Sequence, residues 1–88
     1  MKYKIIYGNK FIASAKKLEK PLKKKLDSQL LVLSENPFYP TLHTKPLSGP
    51  LKGAYSFRIG RDYRIIFIVH SNNIIQLLLA AHRKDIYK

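Results

Sequence analysis

The four arginines of the chain, Arg58, Arg61, Arg64 and Arg83, all lie from position 58 onward, and lysine carries the positive charge everywhere else. Arginine presents a planar fork that matches phosphate with paired hydrogen bonds, and it stays charged. The segments around these residues alternate apolar and polar, so strand parity assigns each side chain to a face. With Gly60-Arg61-Asp62 as a three-residue loop, Ile59 opposes Tyr63 and Arg58 opposes Arg64. Tyr55, Phe57 and Ile59 then share the other face with Tyr63, Ile65, Phe67 and Val69. That face is uniformly apolar, and a slip by one residue would mix the two sets. With Asn72-Asn73 as a two-residue turn, Ser71 opposes Ile74 and Ala81 opposes Arg64. Arg83 then joins Arg58 and Arg64, while His82 points to the opposite face. Like charges directly opposed weaken a sheet by roughly 0.2–1 kcal/mol. Asp62, in the turn, and Asp85, in the tail, do not obviously relieve them. The plain reading is three side chains splayed into water; a local rule broken without structural gain points instead to an anion site for a phosphodiester.

Other chemistries find little support. No serine sits in a Ser-His-Asp arrangement, no glycine loop of the nucleotide-binding kind is present, and carboxylate pairs are absent. His43, His70 and His82 have no metal-ligand spacing, so no metal site and no cofactor is expected. His43 lies in a long loop and is either an ordinary loop residue or a contact to RNA. His82 faces inward by parity, which favours a structural role over a catalytic one. An enzyme built from these residues must rely on cationic stabilisation and on a substrate that supplies its own nucleophile. RNA does so: its 2′-hydroxyl can attack the adjacent phosphate while arginines neutralise the charge developing on the phosphorane. Tyr87, four residues after Arg83, is placed to stack on a base, to assist proton transfer, or simply to anchor the C-terminus.

The elements that must position these groups can be read in order. Residues Lys2 to Tyr7 alternate as a first strand, which Gly8 breaks. A helix capped by Asn9 is expected to run to about Glu19, with Phe11, Ala15 and Leu18 on one face. Pro21 starts a second helix with Leu22, Leu26, Leu30 and Leu33 inward, and Asn36-Pro37 ends it. The stretch from Pro37 to Gly53 is irregular and long, as functional loops are, and Leu42, Leu47 and Leu51 are expected to pin it down. Strands Ala54–Ile59, Tyr63–His70 and Ile74–Arg83 follow. The expectation is one α+β domain over residues 1–88, in the order β-α-α-β-β-β, with a helical hairpin packed on a small antiparallel sheet.

Composition narrows the partners. The 88 residues carry 17 Lys+Arg against 5 Asp+Glu, a net charge of +12. Such a field attracts phosphate polymers, acidic membranes or an acidic protein. The lysine run from Lys16 to Lys25 reads either as a solvated helix face or as long-range attraction for RNA. The chain has no cysteine, which suits a reducing cytosol, and no apolar run approaches membrane-spanning length. A cytoplasmic protein with no membrane association and no leader is expected.

Four segments resemble the RelE/ParE superfamily of toxins: Lys45-Pro-Leu-Ser-Gly49, Leu51-Lys-Gly-Ala-Tyr-Ser-Phe-Arg-Ile-Gly60, Asp62-Tyr-Arg-Ile-Ile-Phe67 and His82-Arg-Lys-Asp-Ile-Tyr87. They occur in the family's order, and the resemblance covers essentially the whole chain. It implies the RelE-like microbial RNase fold and the toxin of a type II toxin–antitoxin pair. RelE-type members are metal-independent mRNA interferases that commonly cut messenger RNA at the ribosome, leaving a 2′,3′-cyclic phosphate. On that resemblance Arg58 and Arg64 bind and stabilise the phosphate, Arg83 stabilises the leaving 5′-oxygen, and Tyr87 stacks or assists proton transfer. Lys45, Lys52, Arg61, His43 and His82 are the further RNA-binding candidates. One basic position of the family is Ser56 here, so the general base is not identified; Lys45, Lys52 and His43 are the loop groups available. The implied partners are mRNA, the ribosome and a cognate acidic antitoxin with an amphipathic helix. Two other readings stand beside it: a ParE-like inhibitor of DNA gyrase that cuts no RNA, and a basic nucleic-acid-binding module.

Overall fold

The computed structural model describes residues 2–86. Strand β1 (Lys4–Tyr7) leads into helix α1 (Asn9–Ala15) and helix α2 (Lys20–Glu35). A two-residue strand β2 (Lys45–Pro46) sits between two short 3-10 turns, Pro40–Leu42 and Gly49–Leu51. Strands β3 (Tyr55–Ile59), β4 (Tyr63–His70) and β5 (Ile74–His82) follow, and a single turn of helix, α3 (Arg83–Ile86), ends the described chain. The α+β order expected from the sequence is present. The sheet, however, is mixed rather than wholly antiparallel: its order is β1-β5-β4-β3-β2, and β1 lies parallel to β5. No local turn joins these two strands, so nothing in the sequence around β1 sets its direction.

Apolar residues spaced along the helices and alternate residues of the strands meet in one core. Phe11, Leu18, Leu26 and Leu33 from the helical side bury against Phe57, Ile59, Ile65, Phe67, Ile75 and Leu77 from the sheet, with Leu22 and Leu30 packed at the margin. The first helix is shorter than expected. It ends at Ala15, and i→i+3 bonds from Lys17 to Ser14 and from Leu18 to Ala15 tighten the chain so that Leu18 still reaches the core. Pro21 then permits a helix only from its first turn, so α2 restarts at Lys20. The sheet's opposite face carries a smaller cluster of Leu47, Ala54 and Ile66, flanked by Leu78, Leu79 and Ile86. Leu42 and Leu47 therefore pin the long loop as expected, but Leu51 remains 37% exposed.

The turn between β4 and β5 departs from expectation. His70, not Ser71, opposes Ile74, so the connection is Ser71-Asn72-Asn73, with Asn73 in the left-handed region at φ 57°. Asparagine tolerates that conformation better than most residues. An irregularity between Ile66 and Phe67 then shifts the register by one, and Arg64 opposes Ala81 after all. The bulge also changes which side chains of β5 face the helices: Ile75 and Leu77 are buried before it and Ala80 after it.

Two close contacts fix α1 on β5 at and just past the end of its pairing with β1. The Gly8 amide donates to the Leu77 carbonyl at 3.0 Å, and the Ala80 amide donates to the Ser14 hydroxyl at 2.9 Å. That hydroxyl in turn donates to the Lys10 carbonyl at 2.8 Å. A Cβ at Gly8 would lie 2.7 Å from the Leu77 oxygen, which is backbone and cannot swing aside. Gly8→Ala is expected to destabilise the protein by about 1–3 kcal/mol, the usual cost of overpacking, read as a lower urea midpoint with an unchanged slope.

Candidate RNA-cleavage site

Arg58 and Arg64 are cross-strand partners, as parity requires. The Arg58 carbonyl is turned outward to Gln29 Nε2 at 3.4 Å, away from β4. The pair is therefore of the non-hydrogen-bonded kind, in which facing side chains come closest. Both arginines are half-buried. They occupy the face opposite the main core, beyond Ser56 and Ile66, because Phe57, Ile59 and Ile65 on either side of them turn inward. The two guanidinium groups have different surroundings. Arg64 Nη1 donates to the Arg61 carbonyl at 3.2 Å and to the Tyr63 carbonyl at 3.1 Å, so it braces the β3–β4 turn. Among the described residues, Arg58 makes no side-chain hydrogen bond or ion pair.

Arg83 opens α3 where β5 ends, and its amide donates to the Asp62 carbonyl at 2.7 Å. The β4–β5 ladder runs from Arg64–Ala81 to Tyr63–His82, and Arg83 follows directly, beside the β3–β4 turn. Its Nε lies 3.4 Å from Asp62 Oδ1, with side-chain exposures of 51% and 44%. Asp62 thus does face one of the arginines, contrary to the expectation that no acid relieves them. An ion pair this exposed is worth roughly 0–1 kcal/mol, so a phosphate offering paired acceptors can compete for Arg83. The aspartate could have been found in the sequence by carrying the register one pair further.

No family model matches the sequence, and no curated protein matches it. Solved structures do. A chain of the archaeal RelE–RelB complex from Pyrococcus horikoshii superposes with a TM-score of 0.79 at 23% identity, over 94% of this chain and 97% of that one. YafQ from Escherichia coli gives 0.80 at 18% identity, over 98% and 99%. A chain of the toxin–antitoxin complex RelBE2 from Mycobacterium tuberculosis gives 0.78 at 22% identity, over 94% and 100%. The fold is that of the RelE-like toxins.

Within this RelE-like fold the remaining sequence candidates divide: His43 and Arg61 border one cavity with Arg58, and Lys45, Lys52 and His82 are not on its wall. Lys45 is exposed on β2 and pairs in register with Ser56, which puts it on the arginine face. Lys52 is exposed just after the second 3-10 turn. Arg61 is exposed at the tip of the β3–β4 turn, and His43 is exposed in the left-handed region at φ 52°. His82 is turned to the helical side, where its ring meets Tyr63 edge-on at 5.3 Å and its Nδ1 accepts from the Lys84 amide at 3.2 Å. It does not join the arginines. Tyr87 lies outside the described residues. Gln29, which bridges α2 to the Thr41 and Arg58 carbonyls, carried no signal in the sequence beyond its place on a helix. Among the described residues no His, Asp and Glu side chains gather as a metal site requires, and no helix is long and apolar enough to cross a membrane.

Proposed function

We infer that the chain is the toxin of a toxin–antitoxin pair and acts as an endoribonuclease on messenger RNA at the ribosome. The observation that carries this reading is the direct pairing of Arg58 with Arg64 on a sheet face with no buried acid among the described residues, and with Arg83 following at the end of β5. A neighbour of the same fold solved as a toxin–antitoxin complex, RelBE2, supports the toxin role and a partner of that kind, and the RelE–RelB and YoeB–YefM chains were likewise solved as complexes. The chain's net charge of +12 favours an acidic one.

In the proposed reaction the substrate's 2′-oxygen attacks the adjacent phosphorus, and its proton passes to a base. The bond from phosphorus to the 5′-oxygen breaks, and that oxygen takes up a proton. The products are a 2′,3′-cyclic phosphate and a 5′-hydroxyl. Arg58 and Arg64 neutralise the two non-bridging oxygens as the phosphorane forms, and Arg83 takes the charge growing on the 5′-oxygen. Tyr87 stacks on a base next to the cut or assists proton transfer. Holding the scissile phosphate between opposed guanidinium groups also orders it for in-line attack.

The test is to incubate the purified chain with messenger RNA, with and without ribosomes, and to map the new ends. Cleavage leaving cyclic phosphate supports the reading. Intact RNA together with loss of DNA supercoiling by gyrase overturns it. A second measurement concerns affinity. Binding through about four phosphates predicts that log Kd for a single-stranded oligonucleotide changes with log salt at a slope of about 3, some sixtyfold between 50 and 200 mM. A slope near zero in an anisotropy titration would contradict phosphate recognition.

A further inference from the structure

Helix α2, the Pro40–Leu42 turn and the β3–β4 turn meet around a cavity of about 330 Å³ lined by Lys25, Gln29, Thr41, His43, Arg58 and Arg61. Among the described residues no carboxylate is on its wall. The cavity exists because the outer edge of β3 is only partly covered. β2 pairs with Tyr55 and Ser56 and goes no further. Past that point Gln29 takes over: its Nε2 reaches the Arg58 and Thr41 carbonyls, each at 3.4 Å, and ties α2 to the strand edge and the loop. His43 closes the loop with φ 52° and ψ 43°. A non-glycine residue held in that region costs free energy and recurs where a side chain must be aimed. Lys25 reaches the site from α2 and Arg61 from the turn. Cations brought together from separate elements with no acid between them repel one another, and an anion relieves that repulsion.

The geometry points to this cavity as a second phosphate subsite, in which Lys25, Arg61 and His43 hold the RNA backbone at least one nucleotide away from the scissile phosphate. The inference rests on the nuclease reading and extends it. Arg58 joins the two sites: its side chain faces Arg64 on the open sheet, and the same residue lines the cavity at the strand edge. The substrate therefore runs from the arginine face around the uncovered edge of β3, and Gln29 acts as a positioning residue that keeps that edge in place. A volume of 330 Å³ suits a single phosphate with its sugar.

The experiment compares binding of fully 2′-O-methylated RNA, which cannot be cleaved, as a dinucleotide and as a decamer. The probe is fluorescence anisotropy on the full chain. The unaltered protein is expected to bind the decamer more tightly than the dinucleotide. The double variant Lys25→Ala, Arg61→Ala is expected to bind the dinucleotide as before and the decamer about tenfold more weakly, with a salt slope lower by about 1. Both side chains are exposed, so the variant keeps its fold. Equal losses on the two lengths, or no loss on the decamer, overturn the subsite. If the unaltered chain binds both lengths and the variant behaves as expected while unmodified messenger RNA stays intact, the nuclease reading falls and the subsite stands. No binding of either length by the unaltered chain overturns both.

Discussion

Arg58→Ala is expected to slow RNA cleavage by about 10²–10³-fold, the range found when one preorganised group that stabilises developing charge is removed. Arg58 is the informative position because nothing in the fold depends on its guanidinium. It makes no side-chain bond among the described residues, so its loss leaves no orphaned partner. Removing it also relieves repulsion from Arg64 directly across the ladder, worth roughly 0.2–1 kcal/mol. The variant should therefore melt at or slightly above the temperature of the parent while its cleavage collapses. Arg64→Ala is a poorer probe, since it also strips two carbonyls of the β3–β4 turn of their donor. Arg64→Lys keeps the charge and loses the fork, so it separates bidentate recognition from simple neutralisation. Single-turnover cleavage beside a thermal melt makes the check: full activity in Arg58→Ala would remove the arginine pair from the mechanism.

Much of this arrangement could be read from alternation alone, and the reason is physical. Burial of Phe57, Ile59, Ile65 and Phe67 leaves one register between β3 and β4 that keeps the apolar set together, and that register forces Arg58 opposite Arg64. The pairing of Arg64 with Ala81 was also correctly anticipated, but through two errors that cancel. The turn takes three residues where two were expected, and the bulge between Ile66 and Phe67 restores the count. A bulge in a run of leucines has no signature in polarity, because Leu77, Leu78 and Leu79 are equally apolar. The parallel direction of β1 escaped for a different reason: its partner lies at the far end of the chain, and no local turn joins the two strands. Gln29 shows the same limit. Its role depends on β2 being two residues long, a length decided by the surrounding loop rather than by the glutamine.

Arginines on a strand are only as well placed as the strand, and this gives Phe57→Ala the largest expected effect on stability. Phe57 is completely buried, opposes Ile65 in register, and meets the Phe67 ring at 5.9 Å. Phe67 is also stacked on Tyr55 at 5.8 Å, so one ring joins the first two residues of the inward row of β3. Truncation removes the transfer free energy of the ring and leaves a cavity walled by these neighbours, at a cost of about 3–5 kcal/mol. Domains of this size hold roughly 5–15 kcal/mol in total, so the variant loses a large part of its margin. Its melting temperature should fall by roughly 12–40 °C. Because Phe57 precedes Arg58 in the strand, a purely structural defect will also lower activity, but with a different signature from that of Arg58→Ala. Cleavage by Phe57→Ala should recover on cooling in step with the folded fraction measured by circular dichroism. The defect of Arg58→Ala should persist at every temperature at which the protein is folded. Failure of Phe57→Ala to recover with refolding would mean that the ring sets the positions of the arginines in the native state as well as the stability of the sheet.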